Sequence, residues 1–587
     1  MNYALNDPDG NRAAKARPME ALRAFLPLLR RERLHIAVAV VAMLLNSLIS
    51  LIGPALVGYS VDTFFSTGHY SGVLLFSGIL LTLYVISFFA GYVQTRMMGG
   101  VAQRLLFNLR NTIFMKLQEL PVAFFNQNKS GDLISRINND TDKLNQFFSQ
   151  SLMQFIGSLV MMGGAGVFLL SINFRLGAAS LTPALGLLLF TRAASAWIRR
   201  KNAQSLQAVG GLSAEIQESL NNFKVIVAFN RRDYFREKFE EANERNFRAS
   251  VSAGLANTIF VPIYGLSSNA AQLIVLTYGV ALISGGHFTI GLLISYLAYL
   301  TRFYDPLRQI AALWASFQGA LAAWDRIASM LRLDSDMGVL PAASANGSGP
   351  VLEFRDVHFR YPGGKEVLHG IDLALEKGKT YALVGPTGGG KTTTASLMAR
   401  LYDPTEGAVL LHGRDIQSYD SRARTRSIGF ILQEPFLFTG TIRDNIVYGN
   451  EDLQDLTNEE LKAVLERKNL GDLIGRFENG LDTKLVSGGD AVSLGQRQII
   501  AFMRAMLRNP EVLILDEATA NVDTVTEQLL EDILEKLPEH TTRVIIAHRL
   551  NTIENADEIF FVNSGEVARA GSFDHAVEML MHGKRES

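Results

Sequence analysis

The chain has 587 residues, a formal net charge of −1, and 48% hydrophobic but only 19% charged residues. The near-neutral charge offers no basic surface for nucleic acid, so we expect no nucleic-acid partner. The absence of cysteine excludes disulfides, thiolate metal sites and cysteine nucleophiles. The averages hide two unlike parts, because the long apolar stretches all lie before about residue 330.

The start of the chain precedes the first apolar stretch. Residues 1–17 lack the apolar core of a cleavable signal peptide, so we expect no cleaved leader. Residues 18–30 are amphipathic and end in a basic residue, which predicts an elbow helix lying in the membrane interface.

Six apolar stretches are long enough to cross about 30 Å of hydrocarbon, which takes roughly 20 residues. The predicted spans are 35–62, 72–97, 150–171, 175–198, 252–283 and 288–312. Several exceed one membrane thickness and are interpreted as helices that continue into the cytoplasm. One such stretch alone could be a buried core helix, but six in series predict a membrane domain over residues 1–333.

Basic residues predict the orientation of these spans. The short loops 64–70 and 284–288 contain no Lys or Arg, whereas the segments between spans two and three and between spans four and five contain many. Because cytoplasmic loops are enriched in Lys and Arg, we expect both termini and both long loops to be cytoplasmic. The chain is thus predicted to be a multi-pass protein in the lipid bilayer of the cell membrane.

The two long loops have about 50 residues each and helical periodicity, and are too apolar for disorder. They contain the segments 124–136 and 218–229 and predict helical extensions of the spans. Polar residues within the spans could line a substrate cavity or form hydrogen bonds between helices. These residues are Asn46, Gln154, Asn269 and Gln272. The charges near the cytoplasmic end of the last span, Arg302, Asp305 and Arg308, could act in gating or in packing.

Residues 334–350 are small and polar with Pro and Gly breakers, which predicts a linker before a second domain at 351–587. That domain contains the octet Gly-Pro-Thr-Gly-Gly-Gly-Lys-Thr at 385–392, between a predicted strand and a predicted helix. In this pattern backbone N–H groups cradle phosphate oxygens, the lysine reaches the β- and γ-phosphates, and the last hydroxyl binds Mg²⁺. The residues predicted to contact nucleotide here are Gly385, Pro386, Thr387, Gly388, Gly389, Gly390, Lys391, Thr392 and Thr393.

Two further apolar strands end in titratable residues. Residues 511–516 end in Asp516, which could complete the Mg²⁺ shell, and Glu517 could then polarise the attacking water. Residues 543–548 end in His548, where a sensor of the γ-phosphate would lie. A buried strand with a solvated acidic turn would explain the first pattern alone, but the Gly-rich octet makes a nucleotide site the better interpretation.

The order of the remaining motifs resembles an exporter-type ABC half-transporter, and the resemblance covers nearly the whole chain. Tyr361 lies in Phe-Arg-Tyr-Pro, Gln433 follows a strand at 428–432, and Val-Ser-Leu-Gly-Gln occupies 492–496. The segments 124–136 and 218–229 resemble the loops that dock on nucleotide-binding domains. The resemblance implies a six-span α-helical membrane domain with long cytoplasmic helices, followed by an α/β P-loop ATPase domain of ABC type.

Residue roles follow from this resemblance. It implies that Tyr361 stacks on adenine, that Gln433 approaches Mg²⁺, that Glu517 is the catalytic base and that His548 is the switch. The residues implied to complete the nucleotide site, partly across a dimer interface, are Ser493, Gly495, Gln496 and Asp523. ATP and Mg²⁺ are the implied cofactors.

Three departures from the family pattern bear on the partner. Val492 and Leu494 replace the usual Leu and Gly of the signature, Ser487 replaces a usual Glu, and Ala-Asn-Val-Asp at 520–523 replaces Ser-Ala-Leu-Asp. A weak signature beside an intact Glu517 is typical of one half of a heterodimeric exporter, so the sequence favours a second, different half-transporter over a homodimer.

The sequence therefore predicts an ATP hydrolase coupled to export of a hydrophobic or amphipathic substrate, such as a drug, lipid or peptide, by alternating access. The alternatives are an ATP-gated channel or receptor subunit and a soluble ABC ATPase. The intact Glu517 counts against the first and the six spans against the second.

Overall fold

The computed structural model describes residues 3–5, 30–66, 68–341, 349–485, 492–516, 524–535, 537–546, 554–571, 575–576 and 578. The chain divides into two compact units. The helical unit comprises Pro8–Met115 and Gly131–Leu331, and the α/β unit comprises Met1–Asp7, Lys116–Ser130 and Arg332–Ser587. The predicted elbow helix lies outside the described residues except for Arg30, which opens a short 3₁₀ turn.

Long helices dominate the chain before residue 332. They are α1 Arg33–Ser60, α2 Tyr70–Glu119, α3 Val122–Gln127, α4 Ser130–Ser135, α5 Thr141–Gln146, α6 Leu152–Ile172, α7 Phe174–Asn221, α8 Phe223–Ala228, α9 Arg232–Thr258, α10 Phe260–Ser284 and α11 Ile290–Leu331. Single π-helical turns at Val61–Phe65, Arg136–Asp140 and Phe147–Ser151 extend α1 and join α4, α5 and α6. The long loops are helical, as predicted.

Within the described residues, five continuous helices are long and apolar enough to cross a membrane. They are Arg30–Phe65, Tyr70–Glu119, Ser130–Ile172, Phe174–Asn221 and Arg232–Ser284. The sixth predicted span corresponds to α11, whose apolar run is interrupted by Arg302, Asp305 and Arg308. The count of six therefore stays a prediction.

Three buried tyrosines of α11 hold the core of the helical unit together. Tyr296, Tyr299 and Tyr304 are each 0% exposed. Their hydroxyls donate to the backbone carbonyls of Leu169 in α6 at 3.0 Å, Leu51 in α1 at 2.6 Å and Ser180 in α7 at 3.0 Å. A buried hydroxyl needs a partner, so these bonds fix α11 against three neighbouring helices.

Two of the polar residues within the spans form hydrogen bonds between helices. Gln154 Nε2 donates to Gln309 Oε1 at 3.0 Å, which joins α6 to α11. The Ser87 hydroxyl donates to the Asn46 carboxamide oxygen, which joins α2 to α1. Asn46 and Gln154 therefore form hydrogen bonds between helices, one of the two roles predicted for them, and Gln154 is also exposed.

The charges of α11 also have neighbours. The Tyr264 hydroxyl lies 3.5 Å from Asp305 Oδ1, and the Arg308 guanidinium lies 5.9 Å from the centroid of the Tyr264 ring. This pairing of α10 with α11 supports a packing role for Asp305 and Arg308.

A buried ionic network holds the first long loop against the end of α11. Arg136 is 1% exposed, and its guanidinium binds Asp132 Oδ2 at 3.0 Å and the Arg326 carbonyl at 2.5 Å. Arg326 in turn binds Asp132 at 2.7 Å and the buried Asp140 at 3.3 Å. The Gly-Asp-Leu-x-Ser-Arg segment therefore has a structural role in the helical unit.

Twelve described strands and eight further helices form most of the α/β unit. The strands are β1 Leu352–Arg360, β2 Glu366–Leu375, β3 Thr380–Val384, β4 Glu406–Leu411, β5 Arg414–Asp415, β6 Ile428–Ile431, β7 Gly440–Thr441, β8 Lys484–Leu485, β9 Val512–Asp516, β10 Thr542–Ile546, β11 Glu558–Asn563 and β12 Glu566–Arg569. The helices are α12 Lys391–Met398, α13 Ser421–Ser427, α14 Ile442–Ile446, α15 Glu451–Gln454, α16 Asn458–Arg467, α17 Gly471–Ile474, α18 Leu494–Leu507 and α19 Thr524–Glu535.

The strands form a six-stranded sheet, a four-stranded sheet and a two-stranded ribbon. The first has the order β12-β11-β3-β10-β9-β6, is parallel except for β12, and places β3 next to β10 and β11. The second has the order β2-β1-β4-β5 and is antiparallel. The apolar runs of β3 and β9 are almost fully buried, as expected for parallel strands covered on both faces.

Candidate functional site

The Gly-rich loop connects β3 to α12. Gly385, Gly388 and Gly390 have φ angles of +144°, +81° and +115°, which side-chain-bearing residues rarely adopt. These angles turn the backbone so that successive N–H groups can face one side, the arrangement that binds phosphate oxygens. Pro386 and Thr387 are exposed at the tip of the loop.

Strand β11 sets how closely this loop can be packed. A methyl group on Gly385 would lie 2.0 Å from the Val562 carbonyl oxygen, and one on Gly389 would lie 2.6 Å from the same atom. The Gly565 N–H also donates to the Gly389 carbonyl at 3.1 Å. Close backbone contact therefore requires glycine at Gly385, which its φ also requires, and at Gly389, which its φ does not.

Lys391 is held within the loop. Its side chain is 5% exposed, and Nζ donates to the carbonyls of Gly385 at 2.8 Å and Pro386 at 3.1 Å. Lys391 is also the only formal positive charge of the octet 385–392. It therefore brings a charge to the position where the loop can cradle phosphates.

Thr392 and Asp516 provide a candidate magnesium site. The Thr392 hydroxyl donates to Asp516 Oδ1 at 3.3 Å, and Asp516 is 4% exposed at the end of β9. A hydroxyl and a carboxylate oxygen are the hard ligands that Mg²⁺ prefers, and the metal usually takes the rest of its shell from water and phosphate. The pair therefore fits the predicted metal.

The register of the large sheet brings the ends of four strands to one edge. Asp516 lies beside Ile546, Ile546 beside Leu383, and Leu515 beside Ile431. Ligands of open α/β sheets bind outside the carboxyl ends of the strands, which is where the Gly-rich loop lies. Gln433 is exposed two residues after the end of β6. Three predicted site residues lie outside the described residues: Glu517, Asp523 and His548.

Tyr361 is tied to the helix that follows the Gly-rich loop. Its hydroxyl lies 3.0 Å from Thr393 Oγ1, and its ring packs edge-on against Phe359 and Tyr402, with centroids 4.8 and 5.2 Å away. Tyr402 belongs to no motif of the sequence. The residue lies just beyond α12 in a segment without a recognisable motif, so only the fold reveals it.

The signature segment begins helix α18. The Ser493 hydroxyl accepts from the Gln496 N–H at 3.2 Å, and Gln496 Oε1 accepts from the Ser493 N–H at 3.0 Å, which forms a capping box. Gly495 is buried in the first turn. The N–H groups of a helix start can bind an anion, so this segment suits the role implied by the resemblance.

The two residues that depart from the family signature, Val492 and Leu494, have different surroundings. Val492 is 8% exposed and belongs to the apolar core of the α/β unit, together with residues such as Ile499 and Phe502. Leu494 is the first residue of α18 and is half-buried. Val492 is therefore a packed core position, whereas Leu494 lies in the first turn of the helix, beside Ser493 and Gly495.

A cavity of about 720 Å³ lies beside Tyr361 in the α/β unit. Its walls are Phe359–Gly364, Tyr402–Thr405, Asp336–Met337, Gln417, Pro121 and Ala123. The Gly-rich loop does not contribute to these walls. The cavity is thus a neighbour of the phosphate cradle, and Tyr361 is common to both regions.

Comparison with known proteins agrees with this geometry. Residues 36–307 match the family model of the ABC transporter transmembrane region, and residues 368–520 match that of the ABC transporter. The chain is 32% identical to an uncharacterized ABC transporter ATP-binding protein of Bacillus subtilis over 93% of this chain and 90% of that one.

Two further relatives have named activities. One is a fatty acid ABC transporter ATP-binding/permease protein of Mycobacterium tuberculosis, 31% identical over 84% of this chain and 78% of that one. The other is a multidrug resistance ABC transporter ATP-binding and permease protein of Lactococcus lactis, 29% identical over 96% and 95%. The chain therefore belongs to the ABC transporter family, as an exporter-type half-transporter whose transmembrane region and ATP-hydrolysing domain form one polypeptide.

Proposed function

We propose that the chain is half of an exporter that uses ATP hydrolysis to move a hydrophobic or amphipathic molecule out across the cytoplasmic membrane. The observation that carries this proposal is the pairing of Thr392 with Asp516 under a Gly-rich loop, in a chain whose described residues include five membrane-length helices. We assign the membrane domain to residues 1–333, the linker to 334–350 and the nucleotide-binding domain to 351–587, with both termini cytoplasmic.

Hydrolysis would use the residues around the phosphate cradle. The loop N–H groups and Lys391 would bind and orient the triphosphate, and Thr392, Asp516 and Gln433 are the residues that would hold Mg²⁺. The metal, when bound, neutralises charge that develops on the phosphate oxygens. Glu517 is proposed to accept a proton from the attacking water.

Residues at the edges of this site would bind the adenine and complete the contacts with the γ-phosphate. Tyr361 stacks on adenine, and Thr393 orients the Tyr361 hydroxyl from α12. Ser493, Gly495 and Gln496 bind the γ-phosphate of the partner's nucleotide. Asp523 and His548 complete the nucleotide site and couple its occupancy to association of the dimer.

The partner is proposed to be a second, different half-transporter. Half-transporters of this family work as dimers, and Leu494 places a branched side chain where a glycine would let the backbone approach phosphate closely. Because Val492 is a core residue, this proposal depends on Leu494. Co-expression with the partner should raise ATP turnover well above that of the chain alone, whereas robust turnover by the purified chain would indicate a homodimer.

The substrate class follows from the relatives and from the chain's own membrane half. The named relatives handle fatty acids or multiple drugs, which are hydrophobic or amphipathic. Two polar side chains that could have lined a cavity, Asn46 and Gln154, are hydrogen-bonded to other helices. We therefore propose that recognition is largely apolar.

The exchange Glu517→Gln tests the assignment. The amide cannot accept the proton, so turnover should fall about 10²- to 10⁴-fold while ATP still binds. Glu535→Gln, at an exposed position of α19, is the matched control and should leave turnover unchanged. Near-wild-type hydrolysis by Glu517→Gln would refute the proposed base.

A further inference from the structure

Residues Tyr3–Leu5, which we call the strap, are hydrogen-bonded to the first long loop. The Tyr3 N–H donates to Gln127 Oε1 at 2.8 Å, and the Leu5 N–H donates to Asn128 Oδ1 at 3.0 Å. Asn128 Nδ2 donates to the carbonyls of Tyr3 at 2.9 Å and Phe124 at 2.8 Å. One buried amide thus binds both the strap and helix α3.

The side chain of Tyr3 extends to the linker that precedes the nucleotide-binding domain. Tyr3 is 1% exposed, and its hydroxyl donates to Asp336 Oδ1 at 2.5 Å and accepts from the Asp336 N–H at 2.9 Å. Burial, together with the Asp336 carboxylate, raises the pKa of Tyr3 to about 12, so the hydroxyl keeps its proton at physiological pH. The strap therefore joins two segments that are far apart in sequence.

Helix α3 is connected to Tyr361 through a hydrogen bond to Tyr402. Asn126 Nδ2 donates to the Tyr402 hydroxyl at 2.6 Å. The Tyr402 ring then packs edge-on against Tyr361 at 5.2 Å and against Phe359 at 5.5 Å. The position of α3 thereby supports the ring proposed to stack on adenine, from the side that borders the cavity described above.

We propose that the strap positions α3 on its own nucleotide-binding domain, and that Asn126 and Tyr402 transmit this position to Tyr361 and so raise nucleotide affinity. Tyr3, Asn126 and Tyr402 are positioning residues, because none of them is assigned a contact with the nucleotide. The inference rests on the adenine-stacking role proposed for Tyr361. By linkage, nucleotide bound against Tyr361 stabilises the docked position of α3 by the same factor.

Tyr3→Phe removes the strap's hydroxyl and keeps its ring. In the full chain in lipid nanodiscs, we expect the Kd for a fluorescent ATP analogue to rise by up to about tenfold, the value of one hydrogen bond to a charged group. The turnover number at saturating ATP should not change. Hydrogen exchange of the 120–130 segment, measured without nucleotide, should become faster.

Three variants separate positioning from a general loss of structure. Tyr402→Phe should raise the Kd to a similar extent, and the double variant with Tyr3→Phe should add little, because both act through one contact chain. Asp336→Asn keeps an acceptor oxygen but removes its charge, so it should raise the Kd less than Tyr3→Phe does. Tyr234→Phe, an exposed tyrosine of α9, is the matched control.

An unchanged Kd in Tyr3→Phe, or fully additive shifts in the double variant, would overturn the inference, as would unchanged exchange at 120–130. Tyr361→Ala tests the underlying assignment separately. If Tyr361→Ala binds the analogue normally, adenine stacking fails even where the exchange experiment shows that the strap holds α3.

Discussion

The exchange Gly385→Ala tests whether the Gly-rich loop is packed against β11 as the structure shows. The new methyl group would lie 2.0 Å from the Val562 carbonyl oxygen, about 1 Å closer than such contacts tolerate. The neighbour is backbone of a buried strand that pairs with β3, so it cannot rotate away. Gly388→Ala is a natural control, because a methyl group there meets no atom within 4 Å.

The magnitudes follow from these contacts. Both variants place alanine at a positive φ, which costs roughly 1–2 kcal/mol. Only Gly385→Ala adds overpacking, which costs about 3 kcal/mol at a rigid site. Because about 1.4 kcal/mol is a factor of ten, the extra strain corresponds to about 100-fold faster local opening.

Hydrogen exchange of the peptide that contains β11, Glu558–Asn563, measures this effect without nucleotide. Gly385→Ala should deprotect its amides about 100-fold more than Gly388→Ala does. A competition experiment with ATP should then show loss of binding in Gly385→Ala. Equal protection of β11 in the two variants would refute the packing argument.

Three further outcomes are expected. Lys391→Ala removes the only positive charge of the octet and should strongly weaken binding of a fluorescent ATP analogue and stop transport. Unchanged affinity would mean that the nucleotide does not bind at this loop. Arg136→Met breaks a buried ion pair and should lower the free energy of unfolding of the helical unit by about 3 kcal/mol. Fluorescence of the three tryptophans measures this unfolding, because all three lie in that unit. The exposed pair at Arg248 is the control, with an effect below about 1 kcal/mol for Arg248→Met. The pKa of Tyr3 is raised to about 12, so the protonated hydroxyl contributes fully to folding stability below about pH 10, and this contribution is lost as pH rises towards 12. The effect of Tyr3→Phe on the Kd for ATP should therefore be equal at about pH 6 and about pH 9.

The local chemistry of the phosphate cradle could be predicted from sequence, because the spacing of glycines, lysine and threonine is itself the mechanism. The strand before the loop and the helix after it lie where the apolar runs indicated. The pairing of Thr392 with Asp516 spans more than a hundred residues, and the order of parallel strands brings the two together.

Other features needed the fold. A departure from a motif does not reveal which way the side chain points, so the sequence alone does not separate Val492, a core residue, from Leu494. The partners of Gln154 and Asn46 lie on other helices, and polar residues in a span look alike whether they face a cavity or a neighbour. The strap has no sequence signal, because Tyr3 is an isolated aromatic residue whose partners lie 124 and 333 positions away.

Accumulation of a dye inside inside-out vesicles tests directly whether ATP hydrolysis by this chain drives export. Vesicles that contain the chain with its partner are supplied with a fluorescent fatty acid or an amphipathic dye, with and without ATP. We expect uphill accumulation that requires hydrolysable ATP and disappears in Glu517→Gln, whereas Glu535→Gln should behave as wild type. Flux that only equilibrates the dye, or that continues in Glu517→Gln once ATP is bound, would contradict the account and indicate an ATP-gated pathway.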